Sequence, residues 1–178
     1  MILETNRLII RDFKTEDLED VHVYASNPLV VEHMIWGPNS IEDTQSFINR
    51  VIEMQKEVPR QGFEFAVVIK ASNRLIGGCG IHLCGQFQGE IGYCFNHLFW
   101  GNGFATEAAG ALIEFGFREL GLHRIYATCR PDNIGSASVM KKVGMIYEGH
   151  IRGHMFHKGK WNDSYQYSIL ENEYSKEG

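Results

Sequence analysis

The chain has 178 residues, 44% hydrophobic and 22% charged, which predicts a packed domain over 1–178 and excludes global disorder. No run approaches roughly 18 apolar residues, which excludes a transmembrane helix, and Met1–Arg7 lacks the basic-then-apolar pattern of a secretory leader. Residues 1–61 hold six Lys/Arg against eleven Asp/Glu and 62–178 hold eleven of each, so the net charge of −5 lies in the N-terminal third; this disfavours nucleic acid and suits a cationic partner such as an amine, unless it is only a solvated acidic helix face.

In chain order, Leu3–Phe13 reads as a strand through Leu8, Ile9 and Ile10. Thr15 can cap a helix with Glu16, Asp17 and Glu19 in its first turn, ending before Asn27-Pro28. Gly37-Pro38-Asn39 marks a loop. Ser40 and Asp43 form a capping box with Asp in place of Glu, and Phe47, Ile48, Val51 and Met54 follow helical spacing toward Pro59. Phe63–Ile69 and Leu75–Leu83 read as strands joined at Ala71-Ser72-Asn73. Glycines in the second predict a bulge or a close backbone neighbour. Gly85–Gly89 turns into a third strand, Ile91–Phe95.

Trp100-Gly101-Asn102-Gly103 then turns into a long helix from Phe104 or Ala105 to about Leu120. Glycines at a helix start admit a close ligand, and the free amides there suit an anion, typically a phosphate. Arg124–Cys129 is a strand, Pro131-Asp132-Asn133 opens a short helix through Lys142, and Gly144 stops it in a left-handed cap. Met145–Glu148 reads as a strand, His150–Lys160 as a loop and Asp163–Leu170 as the last strand. The order β-α-α-β-β-β-α-β-α-β-β is a mixed α/β domain. Cys79, Cys84, Cys94 and Cys129 form no C-x-x-C pair and read as buried free thiols of a cytoplasmic protein.

Four segments in this order resemble the GCN5-related N-acetyltransferase (GNAT) superfamily, in its branch that acetylates ribosomal-protein N-termini: Glu4-Thr5-Asn6-Arg7-Leu8 with Arg11; Ile91-Gly92-Tyr93 through Trp100-Gly101-Asn102-Gly103-Phe104-Ala105-Thr106-Glu107-Ala108; Asn133, Ser136 and Lys142-Val143-Gly144-Met145; and Lys158–Ser164. The resemblance implies a mostly antiparallel central sheet with splayed strands, flanked by helices. It implies direct acetyl transfer from acetyl-CoA to an amine acceptor. That acceptor is a protein N-terminal amine by resemblance to the branch, with a polyamine or aminoglycoside as the alternative within the class and a non-catalytic acyl-CoA-binding module as the alternative outside it.

The resemblance also implies site residues. Gly101, Asn102, Gly103, Phe104, Ala105 and Thr106 would hold the pyrophosphate; Tyr93, Cys94 and Phe95 would pair with the pantetheine arm; Asn133 would hydrogen-bond that arm. Many members carry a tyrosine acid at the position of Met140, which cannot donate a proton; Ser136 is then the candidate acid or a cofactor contact. Trp100 stands where a Gln or Arg usually begins the phosphate loop and is expected to give packing support. Glu90 is the candidate base, with Glu107, Glu148 and His33 as further carboxylates and imidazole to weigh. His150, His154 and His157 lack a metal-ligand pattern and are expected to line the amine channel. No membrane partner is expected, and a homodimer is compatible with the chain.

Overall fold

The computed structural model describes residues 1–174. Its elements are β1 (Ile2–Glu4), β2 (Leu8–Asp12), α1 (Leu18–Ala25), α2 (Ile41–Met54), β3 (Gly62–Ile69), β4 (Arg74–Leu83), β5 (Gln88–Phe95), α3 (Phe104–Arg118), β6 (Arg124–Cys129), α4 (Ile134–Lys142), β7 (Ile146–His157) and β8 (Lys160–Leu170). The strands form one sheet in the order β1-β2-β3-β4-β5-β6-β8-β7. All neighbours are antiparallel except β5 and β6.

Alternation along the strands divides the core into two layers. Phe63, Phe65 and Val67 of β3 pack with Ile81, Ile91 and Phe95 beneath Ala108, Leu112 and Ile113 of α3. Ala66 and Val68 face the other way, onto Val21 and Tyr24 of α1 and Ile48 and Val51 of α2. Helices therefore cover both faces of the sheet, as the resemblance implies.

The parallel pair governs the site. β5 and β6 pair at only three positions, Gln88 with Arg124, Gly89 with Ile125 and Glu90 with Tyr126. Beyond Glu90, β5 stays on β4 as far as Phe95, and β6 stays on β8 as far as Cys129. A gap opens between them. β5 is drawn toward β4 because Gly77 has no side chain: a Cβ there would lie 2.3 Å from the Cys94 carbonyl. The expected bulge is present too, with Val67 opposite Gly77 but Val68 opposite Leu75.

Several local expectations change. The first strand is two, β1 and β2, because Thr5 N turns back onto Leu8 O at 3.0 Å. Thr15 lies inside a 3-10 turn, and Asp17 takes the capping role by accepting from Lys14 N at 2.8 Å. The Ser40–Asp43 box is formed as expected, with reciprocal bonds of 3.1 and 2.9 Å. His150–Lys160 is not a loop: residues 150–157 belong to β7, and Lys158 and Gly159 (φ 50° and 77°) make the hairpin turn into β8. The hairpin is hidden in sequence because its register shifts twice and its side chains are mostly polar and exposed.

Candidate active site

The helix-start loop has the geometry that its glycines predict. Gly101 and Gly103 lie at φ 76° and 79°, where an L side chain is strained. Intrahelical bonding in α3 begins with Glu107 N to Gly103 O at 3.0 Å, which leaves the amides of Phe104, Ala105 and Thr106 without a carbonyl one turn earlier. The Asn102 side chain donates to Phe99 O and Trp100 O at 3.2 and 3.0 Å, closing the loop on itself. The Trp100 indole donates to Phe95 O at 2.8 Å, so it fastens the loop to the end of β5.

Glu107 is fully engaged in holding this loop. Its Oε1 accepts from Thr5 Oγ1 at 2.5 Å and Arg7 N at 2.8 Å, and its Oε2 accepts from Arg7 Nε at 2.7 Å. Arg7 also donates to Asn102 O at 3.0 Å and lies over the Phe104 ring. Partial burial pushes the Glu107 carboxyl up, but these hydrogen bonds outweigh it and hold its pKa below the usual value. That removes Glu107 from the candidate bases.

On the α3/α4 face of the gap, Tyr93 and Ser136 meet. The Tyr93 phenol donates to Ser136 O and sits 3.1 Å from Ser136 Oγ. Asn133 caps α4, its Oδ1 accepting from Ser136 N at 3.1 Å. Burial pushes the Tyr93 phenol well up, so it stays protonated. Met140 is in the core rather than the gap. Cys94 faces the opposite side of the sheet, and burial pushes its thiol up to about 12, which keeps it protonated and a poor nucleophile. Phe95 is buried, so only its backbone is open to a ligand.

The other face carries a cavity of about 810 Å³ between α1, α2 and the sheet, lined in part by Trp36, Phe47, Arg50, Glu64, His82 and Cys94. On its floor His82 Nε2 lies 2.7 Å from Glu64 Oε1. The bond to Glu64 raises the His82 pKa; partial burial opposes this, and the Glu64 and Glu90 charges add to it. Glycines clear the space around the pair. A Cβ at Gly80 would meet Glu64 Oε2 at 2.7 Å, and one at Gly62 would meet His82 Nδ1 at 2.8 Å, while Gly92 has open space above it. The sequence reading missed this pair. The signal was the run of small residues, because Glu64, Gly80 and Gly92 form one row across β3, β4 and β5.

Glu90 lies directly across from His82 on the same face, at the apex of the gap. Tyr126 OH and Thr128 Oγ1 approach its carboxylate at 3.4 and 3.5 Å. The remaining candidates lie elsewhere. Glu148 pairs with Arg124 and Gln166 on the outer hairpin. His150 is tied to Asp163 and His154 to Ser164, apart from His157. His33 and His157 line a second, separate cavity.

The "Acetyltransferase (GNAT) domain" family model matches residues 7–146. The chain is 38% identical over 176 residues to the uncharacterized N-acetyltransferase YnaD of Bacillus subtilis (strain 168), covering 98% of this chain and 100% of that one. A solved acetyltransferase (GNAT family) from Bacillus anthracis superposes with a TM-score of 0.87 at 38% identity, over 97% of this chain and 99% of that one. A ribosomal L7/L12 alpha-N-protein acetyltransferase solved in complex with coenzyme A shares the fold, with a TM-score of 0.84 at 19% identity over 96% and 98% of the two chains. The chain belongs to the GNAT acetyltransferase family and is an acetyl-CoA-dependent N-acetyltransferase. Its residues fit coenzyme A: free helix-start amides suit the pyrophosphate, and the unpaired edge of β5 suits the amide-bearing arm.

Proposed function

We propose that this enzyme acetylates the free α-amine of a peptide or protein chain. The observation that carries the reading is the Glu64–His82 pair on the floor of the 810 Å³ cavity, on the face opposite α3 and α4. Glu64 and Asp43 are the carboxylates lining that cavity, and Asp43 is occupied by Ser40 N. Arg50 faces the same space. Glu64 and Glu90 both flank His82, so the negative charge gathers at one place beside the Arg50 cation, which suits a single ammonium better than a polyamine with several.

Acetyl-CoA supplies an activated acetyl thioester. In this reading the amides from Gly101 to Thr106 bind its pyrophosphate, and the β5 edge at Tyr93, Cys94 and Phe95, together with Asn133, orients its arm. Glu64 Oε2, beside the open row of Gly80 and Gly92, receives the amine. Oε2 takes the ammonium proton while Oε1 keeps its hydrogen bond to His82 Nε2, which leaves the amine neutral and nucleophilic. Glu90 at the gap apex steers the ammonium inward by its charge. Ser136 holds a proton at Oγ on the opposite side, with the Tyr93 phenol behind it.

The cytoplasm is part of the reading, because all four thiols are free. No described helix is long and apolar enough to cross a membrane. A homodimer is also part of it: β7 is an edge strand with exposed Ile146, Tyr147 and Phe156, and sedimentation at several concentrations tests it. For the activity itself, thiol release from acetyl-CoA is measured against a peptide panel and an amine panel. Turnover confined to peptides is expected. Turnover confined to polyamines or aminoglycosides contradicts the acceptor assignment, and binding of acetyl-CoA with no turnover on either panel contradicts catalysis.

A further inference from the structure

A second cavity, of about 640 Å³, is joined to the acceptor cavity by one continuous loop: Glu32 and His33 line the second, and Met34–Pro38, which follow directly, line the first. Its other walls are the Arg130–Asp132 turn after β6 and the β7–β8 hairpin, including His157 and Lys160. The turn is the one that presents Asn133, whose N–H bonds Arg130 O at 2.9 Å. The second cavity therefore adjoins both the acceptor space and the expected arm of the cofactor.

Arg130 in this cavity is 9% exposed, and its Nη1 is buried with no hydrogen-bond partner among the described residues. Among the described residues its Nη2 reaches only Met155 Sδ, at 3.6 Å. Both ring nitrogens of His157 are also buried and unpartnered. A buried cation and imidazole without acceptors are costly, and a bound anion removes the cost. The protein's own charges do not do so. Asp163 is taken by His150 and Gly153 N, at 2.7 and 2.8 Å. Glu32 and Asp132 line the cavity but form no ion pair with Arg130 among the described residues. Lys158 is spent on Val31 O at 2.6 Å.

We propose that this cavity binds a carboxylate of the acceptor, with Arg130 Nη1 and His157 as donors. The proposal rests on the peptide-amine reading and sharpens it: the favoured substrate carries an acidic side chain close behind its free N-terminus. A monoanion fits better than a phosphate dianion, because Glu32, Asp132 and Asp163 line the same space and balance Arg130, Lys158 and Lys160, leaving no excess of positive charge. A guanidinium matches a planar carboxylate.

The test uses peptides identical except for Glu or Gln at the second and third positions. The expected kcat/KM ratio favours Glu by about tenfold or more, and in Arg130→Met it falls close to one while coenzyme A affinity is retained. A wild-type ratio near one, or a preference that survives in Arg130→Met, overturns the proposal. Loss of coenzyme A affinity in the variant also overturns it, by assigning the anion to the cofactor. His157→Phe is the second variant and is expected to narrow the same ratio. Binding of N-acetylglutamate α-amide, which has one carboxylate and no free amine, is followed by thermal shift in wild type and Arg130→Met. If no peptide is acetylated but this probe raises Tm in wild type only, the acceptor reading fails and the carboxylate site stands. No shift in wild type overturns the site.

Discussion

Glu107 is held by Arg7 across a separation of 100 residues, through the backbone amide at 2.8 Å and Nε at 2.7 Å. The β1–β2 turn thus clamps the first turn of α3, where the amides proposed to bind the pyrophosphate lie. The opening Glu4-Thr5-Asn6-Arg7 segment is more than a strand: it braces the helix-start loop.

Glu107→Gln removes the charge that organises Thr5, Arg7 N and Arg7 Nε. Stability should fall by about 1–3 kcal/mol, the range for leaving partly buried donors poorly satisfied. Acetyl-CoA affinity should weaken more than turnover at saturation. Denaturant unfolding and titration calorimetry check the two effects separately. Unchanged affinity would show that the clamp does not position the loop.

The His82 pKa lies above its ordinary value of 6.5, chiefly through its bond to Glu64. The rising limb of kcat/KM should therefore lie above pH 6.5, and in Glu64→Gln it should move down. Stability follows the same sign. A group whose folded pKa is raised stabilises fully below its unfolded value, and this contribution is lost as pH rises through the folded value. The Tm deficit of His82→Gln should be larger at pH 6 than at pH 9. An equal deficit at both would mean that the pair carries no proton linkage.

Tyr93 OH and Ser136 Oγ lie 3.1 Å apart. If Ser136 holds the proton delivered on the α4 side, Ser136→Ala should lower turnover by roughly tenfold or more while acetyl-CoA affinity changes little. Tyr93→Phe should lower turnover in the same direction and cost about 1 kcal/mol of stability. Pre-steady-state and equilibrium binding measurements separate the steps. A loss confined to acetyl-CoA affinity would make Ser136 a binding contact only.

Most elements were legible because periodicity and punctuation agreed. The Ser40–Asp43 box starts α2, Gly103 precedes α3, and Gly144 ends α4 in the left-handed region at φ 86°. The β7–β8 hairpin was not legible, because exposed polar residues and two register shifts erase alternation. The helix-start loop and Asn133–Ser136 were readable as local motifs. Glu64 with His82 was not, because the pair forms only when β3 and β4 align. The gap between β5 and β6 was visible only by family resemblance, since no local residue pattern marks where a parallel pairing ends.

In the proposed reaction a peptide α-amine loses its proton to Glu64 of the Glu64–His82 pair. The most direct measurement is the rate of peptide N-terminal acetylation by wild type and Glu64→Gln at saturating acetyl-CoA, read by mass spectrometry of the peptide. Acetylation at the α-amine by wild type is expected, with a fall of about 100-fold or more in Glu64→Gln and acetyl-CoA affinity retained. Turnover in Glu64→Gln close to that of wild type would contradict it.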